Sequence, residues 1–200
     1  MKTKIAMGIP TTGTIKSKTA FSLIETVRLN PNTDILPIFR HGGYIAENKA
    51  KIVEIAQNCL CSHVFFVDHD MKFDPNVLPK LLSHDKDIVG ALYYYRYLPL
   101  TPMLKYFNEK GEWTPKIEES TLKTIPSELF EVASVAGGMM LVKMSVFEKI
   151  DRPYFPMEQD EEGNRAMTED CGFFLKAQAA GFKVWCDPSL DVKHVGDYEY

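Results

Sequence analysis

The sequence predicts an α/β fold, with three αβα layers around a mostly parallel sheet and a small antiparallel excursion. Three observations predict it. In the first seventy residues, short apolar runs alternate with stretches at helical spacing, in the order β-α-β-α-β. Val64-Phe65-Phe66-Val67 is apolar throughout, as a strand covered on both faces must be. That run then stops in Asp68-His69-Asp70, which sets two carboxylates at a strand's carboxyl end, where open α/β sheets bind ligands.

Lys4 to Ile9 reads as the first strand, ended by Pro10. Thr11-Thr12-Gly13-Thr14 is a polar loop. Ala20, Leu23, Ile24 and Val27 then recur at helical spacing and predict one apolar face, stopped at Asn30-Pro31-Asn32. The loop from Pro10 to Ser17 is a candidate nucleotide site by its position, although it carries neither a P-loop nor a GxGxxG fingerprint. Ile35 to Phe39 predicts a second strand, and Pro37 places it at an edge or a strand end. After the turn Arg40-His41-Gly42-Gly43, the stripe Ile45, Ile52, Val53, Ala56 and Leu60 predicts a second helix leading into Val64.

Beyond Asp70, Phe73 to Asn76 reads as a turn and Val77 to Ser83 as a short helix begun by Asp74-Pro75. Ile88 to Leu92 is a fourth strand, followed by Tyr93-Tyr94-Tyr95-Arg96-Tyr97, an aromatic wall or a stacking surface. Met103 to Phe107 and Trp113 to Ile117 predict a hairpin about Asn108-Glu109-Lys110-Gly111. Glu131 to Val142 reads as strand interrupted by Gly137-Gly138, the mark of a bulge or of close backbone approach to a ligand. A short helix runs to Ile150, and the acidic stretch Tyr154 to Arg165 reads as a loop. Thr168 is an N-cap with Glu169 and Asp170 in the first turn behind it. Asp170 precedes Phe173 and Phe174 by three and four residues, which places it on the core side, with Glu169 further round toward solvent. Gly181 ends the helix, Lys183 to Cys186 is the last strand, and His194 stands alone near the end. Trp113 and Trp185 read as packing residues.

Composition narrows the function. Two hundred residues, 45% hydrophobic, suffice for one sizeable core. A net charge of −4 with no basic excess argues against a nucleic-acid partner held by phosphate neutralisation. Cys59, Cys61, Cys171 and Cys186 show no CxxC spacing and read as free thiols in a reducing compartment. The apolar run behind Met1 breaks at Gly8-Ile9-Pro10, too short for a signal peptide, and no run is long enough for a membrane span. A cytoplasmic chain is expected.

Two carboxylates one residue apart need a cation or strong donors if both are to stay ionised. Hard carboxylate oxygens suit Mg²⁺ or Mn²⁺. The alternative is a polar turn whose aspartates cap Met71-Lys72 or the turn at Asp74-Pro75. His69 is expected to point away from its neighbours by strand alternation. Asn48 and Arg96 either reach a nucleotide or are ordinary surface residues.

In chain order, Asp68-His69-Asp70, Gly137-Gly138, Glu169-Asp170 and His194, behind a βαβαβ half, resemble the GT-A-type nucleotide-sugar glycosyltransferases over nearly the whole chain. The resemblance implies a single catalytic domain over residues 1–200, with a nucleotide-binding half at 1–98 and an acceptor and catalytic half at 99–200. It implies transfer of a hexosyl group from a nucleoside-diphosphate sugar, a UDP-sugar favoured, to a glycan or other hydroxyl acceptor with Mn²⁺ or Mg²⁺. Asp68 and Asp70 would be the DxD ligands, His194 would complete the metal site, and Asp68 would also face the nucleotide. Pro10, Thr11, Thr12 and Asn48 would hold the nucleotide, and Gly137 and Gly138 would admit the sugar or acceptor. Asp170, paired with Glu169, would be the base of an inverting enzyme; retaining members of the family use the later acids differently. Two other classes share these features. A sugar nucleotidyltransferase would want a glycine- and lysine-rich loop after the first strand, where only Gly13, Lys16 and Lys18 stand. A non-catalytic nucleotide- or glycan-binding protein would form no product.

Overall fold

A computed structural model of the protein describes residues 3–107, 113–114, 125–159, 162 and 165–196. The first half is the expected β-α-β-α-β: β1 (Lys4–Pro10), α1 (Ser17–Leu29), β2 (Asp34–Arg40), α2 (Ile45–Asn58) and β3 (His63–Val67). Next in the chain are β4 (Met71–Phe73), α3 (Val77–Ser83), β5 (Ile88–Ala91), β6 (Leu104–Phe107) and β7 (Trp113–Thr114). The last part holds β8 (Phe130–Val132), β9 (Ser134–Val135), β10 (Met139–Lys143), α4 (Met144–Lys149), β11 (Glu158–Gln159), β12 (Arg165–Met167), α5 (Glu169–Ala179), β13 (Val184–Asp187) and β14 (Val192–His194).

The main sheet runs β2-β1-β3-β10-β5-β13-β8. β2, β1, β3, β5 and β13 run one way, and β10 and β8 the other. The fold is therefore α/β and mostly parallel, and β2, with Pro37, is an edge strand, one of the two placements the proline allowed. All four residues Val64 to Val67 are completely buried. Phe66 packs with Ile52, Val53 and Ala56 of α2, Phe147 of α4 and Phe173 of α5. Phe65 faces the other way, toward Leu23 of α1 and Leu78 and Leu81 of α3. Alternate residues of one strand thus feed two helical layers.

Four expectations change. Glu131 to Val142 is not one strand. β8 lies at the sheet edge, β9 pairs with β6, and the chain turns at Gly137-Gly138 to send β10 antiparallel between β3 and β5. A strand buried on both faces looks the same in either direction, so the apolar run did not reveal this. On α1 the packed face is Thr19, Ser22, Leu23 and Thr26, while Ile24 is 63% exposed. Two of those hydroxyls are bonded: Thr26 donates to the Ser22 carbonyl and Ser22 Oγ accepts from the Phe73 amide, while Thr19 Oγ1 is buried without a partner. Phe73 belongs to β4 rather than to a turn, and β4 pairs antiparallel with β14. The stretch from Tyr154 contains the ribbon of β11 and β12, not only loop.

β6 and β7 pair antiparallel, the part of the expected hairpin that is described; residues 108–112 and 115–117 and the Trp113 side chain lie outside the described residues. Lys86 lies over the Trp185 ring at 4.1 Å, the packing role expected of that tryptophan. All four cysteines are free thiols. Among the described residues no helix is long and apolar enough to cross a membrane.

Candidate active site at the carboxyl edge of the sheet

β3 ends at Val67, and Asp68-His69-Asp70 turns the chain into β4, with the Met71 amide donating to the Asp68 carbonyl at 3.3 Å. Strand alternation therefore does not govern His69. It lines a cleft of about 290 Å³ with Pro10, Thr11, Thr12, Gly43 and Asn48. The expected nucleotide loop and Asn48 do meet, and His69 joins them. Asn48 is buried, not a surface residue. The loop is held in place at both ends: Thr11 N donates to the Arg40 carbonyl at 2.8 Å and Lys16 N to the His69 carbonyl at 2.9 Å.

Asp70 is 3% exposed. Pairing of Met71 with His194 across β4 and β14 sets the histidine beside it, with His194 Nε2 3.4 Å from Asp70 Oδ2. Nδ1 of His194 lies 3.2 Å from the Tyr94 carbonyl, which can only accept, so Nδ1 carries the proton. Nε2, on the Asp70 side, donates toward that carboxylate when the ring is protonated and carries the lone pair when the ring is neutral. Asp70 Oδ2 also accepts from Arg96 Nη1 at 2.8 Å, so Arg96 is not an ordinary surface residue. Burial works to raise the Asp70 pKa, but the hydrogen bond from His194 and the charges of His194, His69 and Arg96 hold it below the usual carboxylate range.

Asp68 takes its backbone bond from β10's turn, its amide donating to the Gly138 carbonyl at 2.9 Å. Its Oδ1 is enclosed and has no hydrogen-bond partner. Burial pushes its pKa up to about 6, against the pull of Lys49 and with the added repulsion of Asp170, Asp70 and Glu169. A Cβ on Gly138 would sit 2.5 Å from Asp68 Oδ2 and 2.6 Å from the Tyr93 hydroxyl, and one on Gly137 would overlap the Asp170 carboxylate. The double glycine is thus a place where the chain must pass close to two acids.

On α5, Thr168 Oγ1 accepts from Cys171 N at 3.4 Å, the N-cap expected. The two acids exchange the exposures expected of them. Glu169 is 6% exposed and reaches Lys49 Nζ at 3.3 Å. It lies four residues before Phe173, on the same inward stripe. Asp170 is part-exposed: its Oδ2 accepts from Gly137 N at 3.0 Å and its Oδ1 pairs with Lys49 Nζ. It opens into a second cleft of about 360 Å³, shared with Asp68, Tyr95, Met103, Lys105 and Glu169.

Lys49 was not singled out from the sequence, yet it is wholly buried beneath these acids. Its position was readable: it precedes Ile52, Val53 and Ala56 by three, four and seven residues, on the buried stripe of α2. Burial disfavours its charge, but Asp170, Asp68 and Glu169 outweigh that and hold it protonated, above the ordinary lysine range. Lys49 thus pairs with Glu169 and Asp170, and Arg96 with Asp70.

Solved structures of like architecture include two that are instructive. A197 from STIV superposes with a TM-score of 0.63 at 19% identity, over 98% of this chain and 87% of that one. GalNAc-T7, solved with UDP, GalNAc and Mn²⁺, superposes with a TM-score of 0.55 at 15% identity, over 97% of this chain but only 38% of its own. What they share with this protein is a fold. It agrees with the GT-A-like α/β architecture expected from the sequence. The chain matches no protein-family model and no curated protein.

Among the described residues no three histidine, cysteine or acidic side chains form a ready-made metal cage. Asp68, Asp70 and His194 nonetheless fit a divalent cation. Asp68 Oδ1 is a buried acceptor with no partner, and His194 Nε2 lies 3.4 Å from Asp70 Oδ2, an imidazole beside a carboxylate. Small divalent cations are ordinarily held by one or two carboxylates together with substrate phosphates, without a closed protein cage.

Proposed function

We propose that this chain is a metal-dependent glycosyltransferase, moving a hexosyl group from a nucleoside-diphosphate sugar, UDP-linked by preference, to a hydroxyl of a glycan or other acceptor. Residues 1–200 act as one catalytic domain, and the free thiols suit a cytoplasmic setting. The observation that carries the reading is the placement of two clefts about one acidic turn. His69 lines the cleft of the Pro10-Thr11-Thr12 loop, and Asp68, one residue earlier, lines the cleft of Asp170. A donor spanning the turn would put its nucleotide in the first and its sugar toward the second.

Asp70 and Asp68 would hold Mn²⁺ or Mg²⁺, with His194 Nε2 beside Asp70. The cation, when bound, supplies charge neutralisation for a nucleoside-diphosphate leaving group. Pro10, Thr11, Thr12, Asn48 and His69 hold the nucleotide. Gly137 and Gly138 keep the backbone low enough for the sugar to approach. Asp170 accepts the proton of the attacking hydroxyl in the second cleft, and a base there, across the sugar from the departing phosphate, gives inversion. Lys49 and the Gly137 amide fix that carboxylate, and Glu169 shares the load of the buried ammonium.

Product formation tests this. With UDP-sugars, Mn²⁺ and a panel of hydroxyl acceptors, release of UDP is expected, slow with water alone and faster with a suitable acceptor. A protein that binds nucleotides but releases none from any nucleoside-diphosphate sugar, with either cation, overturns the glycosyltransferase reading.

A further inference from the structure

We propose that Arg96 is the resting counter-ion of the cation site: it holds Asp70 Oδ2 while the site lacks a divalent cation, yields that oxygen to the cation, and turns to the phosphates of the incoming nucleotide. The proposal rests on the metal-dependent reading above and gives a definite role to Arg96, read from the sequence as a nucleotide contact or a surface residue.

Asp70 Oδ2 has two neighbours, Arg96 Nη1 at 2.8 Å and His194 Nε2 at 3.4 Å. A Mg²⁺-sized cation bonds a carboxylate oxygen at about 2.0–2.1 Å. It would then stand against the guanidinium, with like charges in contact around an oxygen of a side chain only 5% exposed. One must leave. His194 is held from behind by the Tyr94 carbonyl and can serve as a ligand once Nδ1 keeps the proton. Arg96 can serve as none, because a guanidinium has no lone pair to offer.

Arg96 is also the group able to move. Lys49, by contrast, is completely buried and tied to Glu169 and Asp170. The Arg96 side chain is 46% exposed. Its backbone is fixed on both sides: Tyr95 N donates to the Thr101 carbonyl at 2.9 Å, Met103 N to the Tyr93 carbonyl at 2.9 Å, and Tyr94 bridges to Pro102. The movement required is thus a change of rotamer on a fixed strap. A guanidinium released beside a diphosphate has a better partner there than water, since its planar fork matches phosphate oxygens in pairs.

Competition and recruitment give effects of opposite sign, which a merely structural arginine would not. Mn²⁺ binding to the nucleotide-free protein is read from the free-Mn²⁺ electron paramagnetic resonance signal, and UDP binding at saturating Mn²⁺ by calorimetry. For Arg96→Gln the expectation is Mn²⁺ binding several-fold tighter than wild type and UDP binding about tenfold weaker, the scale of a charged hydrogen bond. Arg96→Lys, which keeps the charge and loses the fork, is expected to restore the wild-type Mn²⁺ affinity but not that for UDP. Equal or weaker Mn²⁺ binding by Arg96→Gln overturns the proposal while leaving the glycosyltransferase reading intact. A wild-type protein that binds no Mn²⁺ even with UDP present overturns both.

Discussion

Replacing Lys49 with methionine is expected to lower the melting temperature by at least about 6 °C. Methionine nearly matches the volume of the lysine stem, so no cavity is involved. The loss comes from charge. Lys49 is completely buried and pairs with both Glu169, itself 6% exposed, and Asp170. Removing one partner of a buried ion pair strands the other, at a cost of about 3–5 kcal/mol. Here two carboxylates are stranded, with Asp68 close enough to add its repulsion. Adding Glu169→Gln to the Lys49→Met protein should recover part of the loss, because it removes one of the stranded charges. A Lys49→Met protein that melts with the wild type would show that the ammonium is not compensating these acids, and the electrostatic description of the site would have to be given up.

Asp170→Asn is expected to lower turnover by about 10²–10⁴-fold, the range for loss of a general base. The substitution keeps the side chain's shape and its acceptor for the Gly137 amide, 3.0 Å away. Nucleotide affinity should stay within about threefold of wild type, because Asp170 lines the second cleft and not that of the Pro10 loop. Steady-state kinetics with a UDP-sugar and calorimetry with UDP separate the two effects. Glu169→Gln provides the contrast. Glu169 is buried against Lys49, so its loss should act on stability more than on turnover. If Glu169→Gln lost turnover and Asp170→Asn kept it, the roles of the two acids would be reversed.

Much of the fold was legible because local patterns agreed with one another. The unbroken apolar run Val64 to Val67 could only be a strand covered on both faces, and the alternation before it required parallel crossovers. Pro37 marked an edge or a strand end, and β2 is an edge. The direction of β10 was hidden for the reason that made β3 clear: full burial erases the alternation that distinguishes one face, and with it any sign of orientation. α1 departs from its apolar pattern because hydroxyl side chains can be buried when their own helix bonds them, as Thr26 shows. The ribbon of β4 and β14 is three residues on each side, too short for any period to appear.

In the site, residue types were easier to read than their surroundings. Asp68, Asp70, His194 and Asp170 stood out as chemistry-bearing groups, and the Pro10 loop stood out by position. What the sequence did not reveal was which cation each acid faces. Lys49 lay on a hydrophobic stripe, where a buried lysine is uncommon, and that was the overlooked signal. Arg96 meets Asp70 across a strap closed by Tyr94 and Pro102, a contact with no local pattern. Glu169 and Asp170 exchange exposures because both lie one helical turn before a buried phenylalanine, and the longer side chain takes the deeper position.

The central claim is that Asp70 carries a divalent cation on which nucleotide binding depends. Calorimetric titration of UDP into the wild type and into Asp70→Ala, each with and without Mn²⁺, tests it most directly. The expected result is binding by the wild type with Mn²⁺ and no measurable binding by Asp70→Ala under either condition. Undiminished Mn²⁺-dependent binding of UDP by Asp70→Ala would contradict it.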